Sequence, residues 1–484
     1  MAMPLTTAAQ VKSIDRKARL QIPHQAVPKQ APEDRVHNWV EVYEGYDLPA
    51  AKIEAFRCIQ CPAAPCQVAC PLHNDIPGAF LKLEDGDVAG AADIFRATNP
   101  APDMCGRLCP QEALCEGHCV VGKKNIPVAI GRLEAFIADY ERDHGGRPMP
   151  DLAPPTGRRV AVVGSGPAGL AVAEYLAVQG HGVKIFEAWP APGGVLRYGI
   201  PNFKMDKRHA DDQVAYLHEL GVQFHYDIRI GYDITIDQLF EDGYDAVFLG
   251  HGAGQGNKLN VPGEDKLPGI HMATDFLVRA NLPPEELPAH MRDPLEVGKR
   301  VIVIGGGDTS MDCVRSAVRL GCTEVTCVYR RTEAEMLGRE EERRHAKEEG
   351  VQFHWQCIPV RFIANDANDH VAGVRFQRVE LGDPDESGRR KPVPVIGSEF
   401  DVEADTVVIA IGYKVEKLMY QTTSGLLATD WGTVEAAEDG ATTREGVFAA
   451  GDNVRGADLV VTALADAKKA AAAIDRYLRN GNGA

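Results

Sequence analysis

The sequence has no long hydrophobic run, and it carries less positive than negative charge. No stretch approaches the roughly 20 apolar residues that a membrane-spanning helix needs, and residues 1–12 lack the basic and apolar segments of a secretory signal. Lys and Arg total 52 against 69 Asp and Glu, a net charge of -17 that repels nucleic acid and anionic membranes. We therefore expect a cytoplasmic protein that binds neither membranes nor nucleic acid.

The composition is otherwise that of a globular protein with several domains. With 484 residues, of which 44% are hydrophobic, the chain is long enough for about three domains. Residues 143–156 are rich in Gly and Pro and have no apolar periodicity, which predicts a linker and a domain boundary near residue 150. Before this linker, the pattern indicates short helices.

After the linker, short apolar runs alternate with segments of helical period. The predicted strands are residues 159–163, 183–186, 300–304 and 324–329, and the predicted helices are residues 169–179 and 309–320. This alternation is typical of two doubly wound α/β units. Two further apolar runs end at Gly252 and Gly412, and they suit the two points where the chain would pass from one unit to the other and back.

Eight of the twelve cysteines are concentrated before the linker. They form two groups, Cys58, Cys61, Cys66 and Cys70, followed by Cys105, Cys109, Cys115 and Cys119. In a reducing compartment, such cysteines are more often metal ligands than disulfides. A cysteine before proline, as at Cys70, reaches the other cluster in two-cluster ferredoxins, so the spacing predicts two [4Fe-4S] clusters with exchanged ligands. Two zinc sites are the alternative, although the pattern lacks the paired C-x2-C motifs of a zinc ribbon.

The first predicted strand after the linker leads into a glycine-rich turn that opens a helix. Its candidate binding residues are Gly164, Gly166, Pro167, Ala168 and Gly169. Such a turn lets the backbone approach a pyrophosphate, and the helix N-terminus supplies amides and a positive dipole. The next strand ends at Glu187, whose carboxylate can accept hydrogen bonds from a ribose. Gly193 and Gly194 offer a second backbone approach where a larger cofactor such as FAD would continue.

A second turn of this kind follows the strand at residues 300–304. Its candidate binding residues are Gly305, Gly307, Asp308 and Thr309, and Ser310 replaces the third glycine of the fingerprint. The next strand ends in Arg330 and Arg331, where an NAD site would present a carboxylate. Two guanidinium groups match a 2'-phosphate and therefore favour NADPH; the alternative is an exposed basic strand end.

Two further segments are informative. A predicted strand near the C-terminus ends in Gly451-Asp452. We expect the Asp452 carboxylate to contact a ribityl hydroxyl of the flavin, and the N-terminus of the following helix to lie near the flavin ring. The alternative is an ordinary turn, since this dipeptide is common in turns. Residues 340–349, EEERRHAKEE, mix both signs of charge at helical spacing. That run predicts a solvated helix face without a function.

Together these motifs resemble a known family. The segments RCIQCPAAPCQVACPLHNDIPGAF, CGRLCPQEALCEGHCV, AVVGSGPAGLAVAEYL, GGVLRYGIPNFK, VIVIGGGDTSMDC, VYRR and GVFAAGDNVRGA occur in the order found in small subunits of NADPH-dependent glutamate synthase. The resemblance implies an α/β protein with an N-terminal helical iron-sulfur domain and two interleaved Rossmann-like nucleotide-binding domains, as in adrenodoxin reductase. We expect the cluster domain at 1–150, the FAD domain at 157–290 and 405–484, and the NADP domain at 291–404.

The resemblance also implies how the cysteines are shared. One cluster would take Cys58, Cys61, Cys66 and Cys119. The other would take Cys70, Cys109, Cys115 and a non-cysteine ligand that falls on Glu134, leaving Cys105 spare, whereas the spacing alone uses all eight cysteines.

The function implied is transfer of electrons from NADPH through FAD and two [4Fe-4S] clusters to a partner subunit that makes glutamate. The same architecture occurs in the large subunit of NADH-dependent ferredoxin:NADP oxidoreductase and in sulfide and pyrimidine dehydrogenases, so a ferredoxin-type acceptor is an alternative partner. A redox sensor or scaffold that binds the cofactors without turnover is a third interpretation. No catalytic side chain is expected, because hydride transfer between stacked rings depends on positioning.

Overall fold

The computed structural model describes residues 15–385 and 388–481. The N-terminal part is helical, as the sequence predicts. Its helices are α1 (Arg16–Arg19), α2 (Pro32–Arg35), α3 (Leu48–Phe56), α4 (Pro65–Ala69), α5 (Ile76–Asp85), α6 (Val88–Arg96), α7 (Pro102–Leu108) and α8 (Ile130–Asp143), with a 3-10 turn at Val120–Lys123. Four of these helices begin after an aspartate, Asp15, Asp47, Asp75 or Asp87, whose side chain accepts a hydrogen bond from a backbone N–H in the first turn.

The first nucleotide-binding unit is built on a five-stranded parallel sheet. Its strands are β1 (Arg159–Val163), β2 (Gly182–Phe186), β3 (Gln223–His225), β4 (Ala246–Leu249) and β15 (Val447–Ala449), in the order β15-β4-β1-β2-β3. Its helices are α9 (Pro167–Val178), α10 (Val195–Tyr198), α11 (Arg208–Glu219), α12 (Ile236–Glu241), α16 (Leu418–Thr422), α17 (Asp452–Arg455) and α18 (Val460–Arg479). Helices α9 and α18 pack on one face of the sheet through small apolar side chains.

The second unit has its own five-stranded parallel sheet. Its strands are β6 (Ile270–Met272), β7 (Arg300–Ile304), β8 (Glu324–Tyr329), β9 (Gln352–Trp355) and β13 (Thr406–Ile409), in the order β6-β13-β7-β8-β9. The helices are α13 (Ala273–Asn281), α14 (Asp308–Arg319) and α15 (Glu340–Glu348), with 3-10 turns at Pro284–Glu286, Ala289–Met291 and Glu333–Glu335.

This sheet corrects the expected domain boundaries. The boundaries at 290/291 and 404/405 would leave β6 and β13 in the first unit, yet both strands pair within the second sheet. The chain instead crosses at β5 (Gln255–Gly256) and β14 (Tyr413–Lys414), which pair antiparallel with each other. These crossings lie directly after Gly252 and Gly412, where the apolar runs end.

The sequence analysis did not anticipate a third, antiparallel sheet. Strands β10 (Cys357–Ala364), β11 (Val371–Pro384) and β12 (Arg390–Glu403) form a meander that packs Phe362, Val374 and Phe376 against the second sheet. Most side chains of β12 are at least partly exposed. In the described part of the chain, no helix combines the length and the apolar character needed to cross a membrane.

The charged run at residues 340–349 is solvated on one side only, where Glu340, Arg344 and Lys347 are exposed, whereas the sequence predicts a solvated helix face without a function. Glu349, directly after α15, is buried and binds three arginines that are themselves buried. Arg315 and Arg319 belong to α14, at 3.0 and 2.8 Å, whereas Arg35 comes from the N-terminal domain, at 2.7 Å. The run therefore joins the cluster domain to the second nucleotide unit through buried ion pairs.

Neutralising Glu349 is expected to destabilise this interface. Removing one partner from a buried ion cluster leaves uncompensated charge, so Glu349→Gln should lower the free energy of unfolding by about 3 to 5 kcal/mol, measured by chemical denaturation. The control Glu340→Gln, at an exposed position of the same helix, should change it by less than about 1 kcal/mol. Equal effects of the two variants would contradict a structural role for Glu349.

The same ion pairs predict a dependence of stability on pH. Although burial opposes ionisation, Arg315 and Arg319 lower the pKa of Glu349 from 4.5 to about 2. Because the folded-state pKa lies below the unfolded value, this contribution is complete above pH 4.5 and disappears as the pH falls towards 2. The Glu349→Gln variant should lose that part of the wild-type acid sensitivity.

Candidate functional site

A cavity of about 1520 Å³ lies between the two parallel sheets. It opens at the carboxyl ends of β1, β2, β4, β7, β8 and β13, where doubly wound sheets bind their ligands. The predicted residues that line it are Gly164, Gly166, Pro167, Ala168, Glu187, Gly194, Gly305, Gly307, Asp308, Thr309, Arg330 and Asp452. Gly169, Gly193, Gly451 and Arg331 lie outside this lining. The volume exceeds that of an ordinary small-molecule pocket, about 300 to 1000 Å³, and suits two dinucleotides.

The first glycine turn leaves its backbone open towards the cavity. A Cβ atom on Gly166 would meet no atom within 4 Å, so this position forms a cradle for a ligand. A Cβ atom on Gly169 would lie 2.0 Å from the carbonyl oxygen of Gly164, which explains why only glycine fits at the start of α9. Gly164 has a φ of +92°, a conformation that side chains rarely adopt.

Glu187 is held in place by its own chain at the end of β2. Its carboxylate accepts hydrogen bonds from the backbone N–H groups of Ser165, at 3.0 Å, and Trp189, at 2.9 Å, and from the Ser165 hydroxyl. Burial raises the pKa of Glu187 despite these donors. The carboxylate is thus fixed beside the first glycine turn, where a ribose would lie.

Two glycines and an aspartate complete this half of the cavity. A Cβ atom on Gly194 would lie 2.8 Å from Cα of Gly166, so the two segments approach closely. Gly451 has a φ of +82° and precedes Asp452, the first residue of α17. Burial raises the pKa of Asp452 to about 6. Val460, which begins the long helix α18, also lines the cavity.

Sequence reasoning missed a histidine on the same wall and the buried asparagine beside it. His251, after β4, lines the cavity, and its Nδ1 lies 3.5 Å from Nδ2 of Asn453. Nε2 of His251 and Oδ1 of Asn453 are buried and have no hydrogen-bond partner among the described residues. Such buried polar atoms fit a site that a ligand completes.

The second glycine turn forms the opposite wall. A Cβ atom on Gly307 would meet nothing within 4 Å, whereas one on Gly306 would lie 2.4 Å from the ring of Tyr329. Ser310 is buried and its hydroxyl donates to the carbonyl of Ala410, at 3.3 Å. Ser310, which stands in place of the third fingerprint glycine, therefore ties α14 to the end of β13. The backbone at Gly307 stays open towards the cavity.

The two arginines after β8 point in different directions. Arg330 is exposed and lines the cavity. Arg331 is 1% exposed and donates to the carbonyl of Arg390 and to the carboxylate of Asp385, both at 2.7 Å. The structure thus brings only the first of the predicted pair to the cavity. Arg389, on the turn between β11 and β12, lines it instead, and no sequence motif indicated this residue.

A buried ion pair spans the two halves of the cavity. Lys204, from the segment after α10, lies 2.9 Å from Asp312 on α14, and both side chains are 8% exposed and line the cavity. Despite burial, the carboxylates of Asp312 and Glu342 raise the pKa of Lys204 to about 12. The pair therefore links the first nucleotide unit to the second across the cavity.

The cysteines separate into two groups in the helical domain. In the first group, Cys66 is buried in one apolar cluster against which Cys58, Cys61 and Cys119 pack. Burial and repulsion from Cys66, Cys119 and Cys61 raise the pKa of the Cys58 thiol. Cys58, Cys61 and Cys119 are only partly buried. Cys119 thus lies with the first sequence group although it belongs to the second.

The second group contains a carboxylate. After burial, the charges of Glu134 and Cys109 raise the pKa of the Cys70 thiol to about 11, and the charges of Cys109, Glu134 and Cys70 act in the same way on Cys115. Oε1 of Glu134 accepts hydrogen bonds from Asn74, at 3.1 Å, and Asn99, at 2.9 Å, and burial raises its pKa to about 8.

Cys105 also lies in the second group, since its thiol interacts with Cys109 and with Oδ1 of Asn99, at 3.8 Å. Within the described residues, no three His, Cys, Asp or Glu side chains converge on a single metal ion. A [4Fe-4S] cluster spreads its thiolate ligands around a larger core than a single ion. Leu108 lines the cavity directly before Cys109, so the second group lies beside the cavity.

Comparisons with known proteins agree with this division. Residues 158–467 match the family model of pyridine nucleotide-disulphide oxidoreductases, and residues 35–146 match that of dihydropyrimidine dehydrogenase domain II, 4Fe-4S cluster. The chain is 41% identical to the glutamate synthase [NADPH] small chain of Halomonas elongata, over 93% of this chain and 95% of that protein. It is 40% identical to the Escherichia coli small chain, over 93% and 96%.

Among solved structures, the fold is similar to that of FprA from Mycobacterium tuberculosis in complex with NADPH. The TM-score is 0.56 at 23% identity, over 67% of this chain and 85% of FprA. This similarity confirms the predicted fold of the two nucleotide-binding units.

Proposed function

Because the chain belongs to the family of glutamate synthase small chains, within the pyridine nucleotide-disulphide oxidoreductases, we propose that it carries electrons from NADPH through FAD and two [4Fe-4S] clusters to a partner subunit. The observation that carries the proposal is the cavity of about 1520 Å³ between two open glycine cradles, with a cysteine group beside it. When bound, FAD allows a two-electron hydride transfer to be converted into transfers of single electrons.

The first half of the cavity holds the flavin nucleotide in this proposal. The backbone around Gly164 and Gly166 binds the pyrophosphate at the N-terminus of α9, and Glu187 orients the ribose. Asp452, which lines this half of the cavity, is assigned to accept a hydrogen bond from the ribityl chain, and the N-terminus of α18 favours negative charge at the ring. The unpartnered atoms of His251 and Asn453 support a ligand on this wall.

The second half holds NADPH. The backbone at Gly305 and Gly307 binds the pyrophosphate, Asp308 and Thr309 open the helix beneath it, and Arg330 meets the 2'-phosphate. The chain's task is to bring the two rings together and exclude water, so we assign no side chain as general acid or base.

The cysteines give the order of the clusters. Cys70, Cys109 and Cys115, with Glu134, hold the cluster beside the cavity, because Leu108 connects that group to the cavity wall. Cys58, Cys61, Cys66 and Cys119 hold the other cluster. Three of these thiols are partly exposed, and Val68, within α4, is 67% exposed. Electrons would therefore leave from the first group towards a partner.

The partner proposed is the large subunit of a glutamate synthase, since the similar chains named above are its small chains. The two family models matched here describe a pyridine nucleotide-disulphide oxidoreductase and a 4Fe-4S cluster domain. Glutamate synthesis itself would take place on the partner. Copurification from the native host should recover that subunit; recovery of a ferredoxin-type acceptor in its place would contradict the glutamate assignment.

Anaerobic mixing of the purified holoprotein with NADPH tests the oxidoreductase proposal. We expect the flavin absorbance to bleach, followed by loss of the iron-sulfur absorbance as the clusters are reduced. Flavin that stays oxidised at saturating NADPH would instead support a redox sensor or scaffold. NADH at the same concentration is the matched control for the nucleotide and should act more slowly.

A further inference from the structure

The buried guanidinium of Arg331 anchors the turn between β11 and β12. Its Nε donates to the carbonyl of Arg390 and its Nη2 donates to the carboxylate of Asp385. Arg331 is 1% exposed and does not line the cavity, so these two contacts hold its side chain towards the turn. Arg331 therefore connects the end of β8 to a turn whose two contacting residues, Asp385 and Arg390, lie 54 and 59 residues further along the chain.

The turn is also closed by its own hydrogen bonds. The backbone N–H of Asp385 donates to the carbonyl of Arg389, at 2.7 Å, and that of Gly388 donates to the carbonyl of Asp385, at 2.8 Å. The carboxylate of Asp385 accepts from the backbone N–H of Arg389, at 3.2 Å. Asp385 thus joins Arg331 to the backbone of Arg389, so the position of Arg389 depends on Arg331.

This arrangement places two guanidinium groups on the cavity. Arg330 and Arg389 both line it, one from the end of β8 and one from the turn. Burial, and then repulsion from Arg331 and Arg389, lowers the pKa of Arg330. Two like charges on one wall, at the strand end where the nucleotide ribose lies in this fold, form a site for an anion.

We propose that Arg330 and Arg389 together recognise the adenosine 2'-phosphate of NADPH, and that Arg331 is a positioning residue that holds the Arg389 turn. The proposal rests on the nucleotide site assigned above and changes one of its residues. Arg389 replaces Arg331 as the second phosphate ligand. Selection of NADPH then depends on the antiparallel sheet as well as on the Rossmann unit.

Binding of 2',5'-ADP and 5'-AMP to the holoprotein, measured by calorimetry, tests this proposal without turnover. Arg389→Gln should weaken 2',5'-ADP binding by about tenfold to hundredfold, the usual effect of losing a charge-assisted contact. Binding of 5'-AMP should stay within about twofold, because it lacks the 2'-phosphate. Arg390→Gln is the matched control, since its side chain bonds to the carbonyl of Leu381 and does not line the cavity. Equal binding of 2',5'-ADP by Arg389→Gln and wild type would overturn the proposal.

A double-mutant cycle distinguishes positioning from direct contact. If Arg331 acts through Arg389, Arg331→Met should weaken 2',5'-ADP binding and add little to Arg389→Gln. Additive losses would show that Arg331 binds phosphate itself and would overturn its role as a positioning residue. Arg331→Lys, which keeps one donor, should restore part of the affinity. If wild-type protein binds 2',5'-ADP and 5'-AMP equally, the NADPH preference of the proposed function is contradicted. If wild-type protein prefers 2',5'-ADP and the Arg389→Gln variant keeps that preference, only this inference is contradicted.

Discussion

Cys66→Ser is expected to remove the cluster of the first group and to stop electron transfer to the partner while leaving flavin reduction intact. Cys66 is buried and lies beside Cys61 and Cys119. Serine replaces a thiolate with a hydroxyl that ionises far less readily, so it is a poor iron ligand. Iron should fall from about eight to about four atoms per chain. NADPH should still bleach the flavin, because the cavity lies beside the other group.

The measurement pairs iron analysis and absorbance spectra with two kinetic assays. Bleaching of the flavin absorbance by NADPH measures flavin reduction, and reduction of a one-electron acceptor measures electron transfer out of the protein. Cys322→Ser is the matched control, since Cys322 follows α14 far from both groups in the chain and should change neither assay. Loss of flavin reduction in Cys66→Ser would contradict the order of the clusters proposed here.

The fold of the nucleotide units could be predicted from sequence because its signals are local. The predicted strands 159–163, 300–304 and 324–329 have the observed bounds, since buried parallel strands are short, continuous apolar runs between turn residues. The antiparallel sheet escaped prediction because β11 mixes buried, partly buried and exposed residues over its 14 positions, and β12, equally long, has no fully buried residue. Neither strand has the clean apolar run that marked the others.

The candidate site was predictable where a motif acts through its backbone. The open positions at Gly166 and Gly307 follow from glycine spacing between a strand and a helix. Contacts made by side chains distant in sequence were not predictable. Arg331 and Asp385 are 54 residues apart, and no spacing rule connects them. The same applies to Lys204 and Asp312, which meet only after both units fold.

Charge patterns misled the sequence reasoning most. The run at residues 340–349 has the alternating signs of a solvated helix, but its exposure depends on what packs against it. Arg35, in the N-terminal domain, and Arg315 both bind Glu349 and cover it from solvent. A single sequence contains no sign of that partner, because the ion pair joins residues 314 positions apart.

Glu134→Ala and Cys105→Ser should distinguish the two candidates for the fourth ligand of the second cluster. Both residues lie in this group, since Glu134 and Cys109 each raise the pKa of the Cys105 thiol. Buried carboxylates are usually paired or bound to metal, and Glu134 meets only the amides of Asn74 and Asn99 among its hydrogen-bond partners. We therefore expect Glu134→Ala to lose or alter this cluster and to block electron transfer from the reduced flavin to the acceptor.

Cys105→Ser should keep both clusters and wild-type electron transfer, because its thiol has a polar partner in Asn99 that a hydroxyl can also use. Glu134→Gln separates the ligand role from packing, since it keeps the shape of the side chain and removes its charge. Iron content and cluster spectra measured on the three variants decide the assignment. Unchanged spectra in both Glu134 variants, with loss of a cluster in Cys105→Ser, would reverse it and restore the all-cysteine arrangement that the spacing alone predicts.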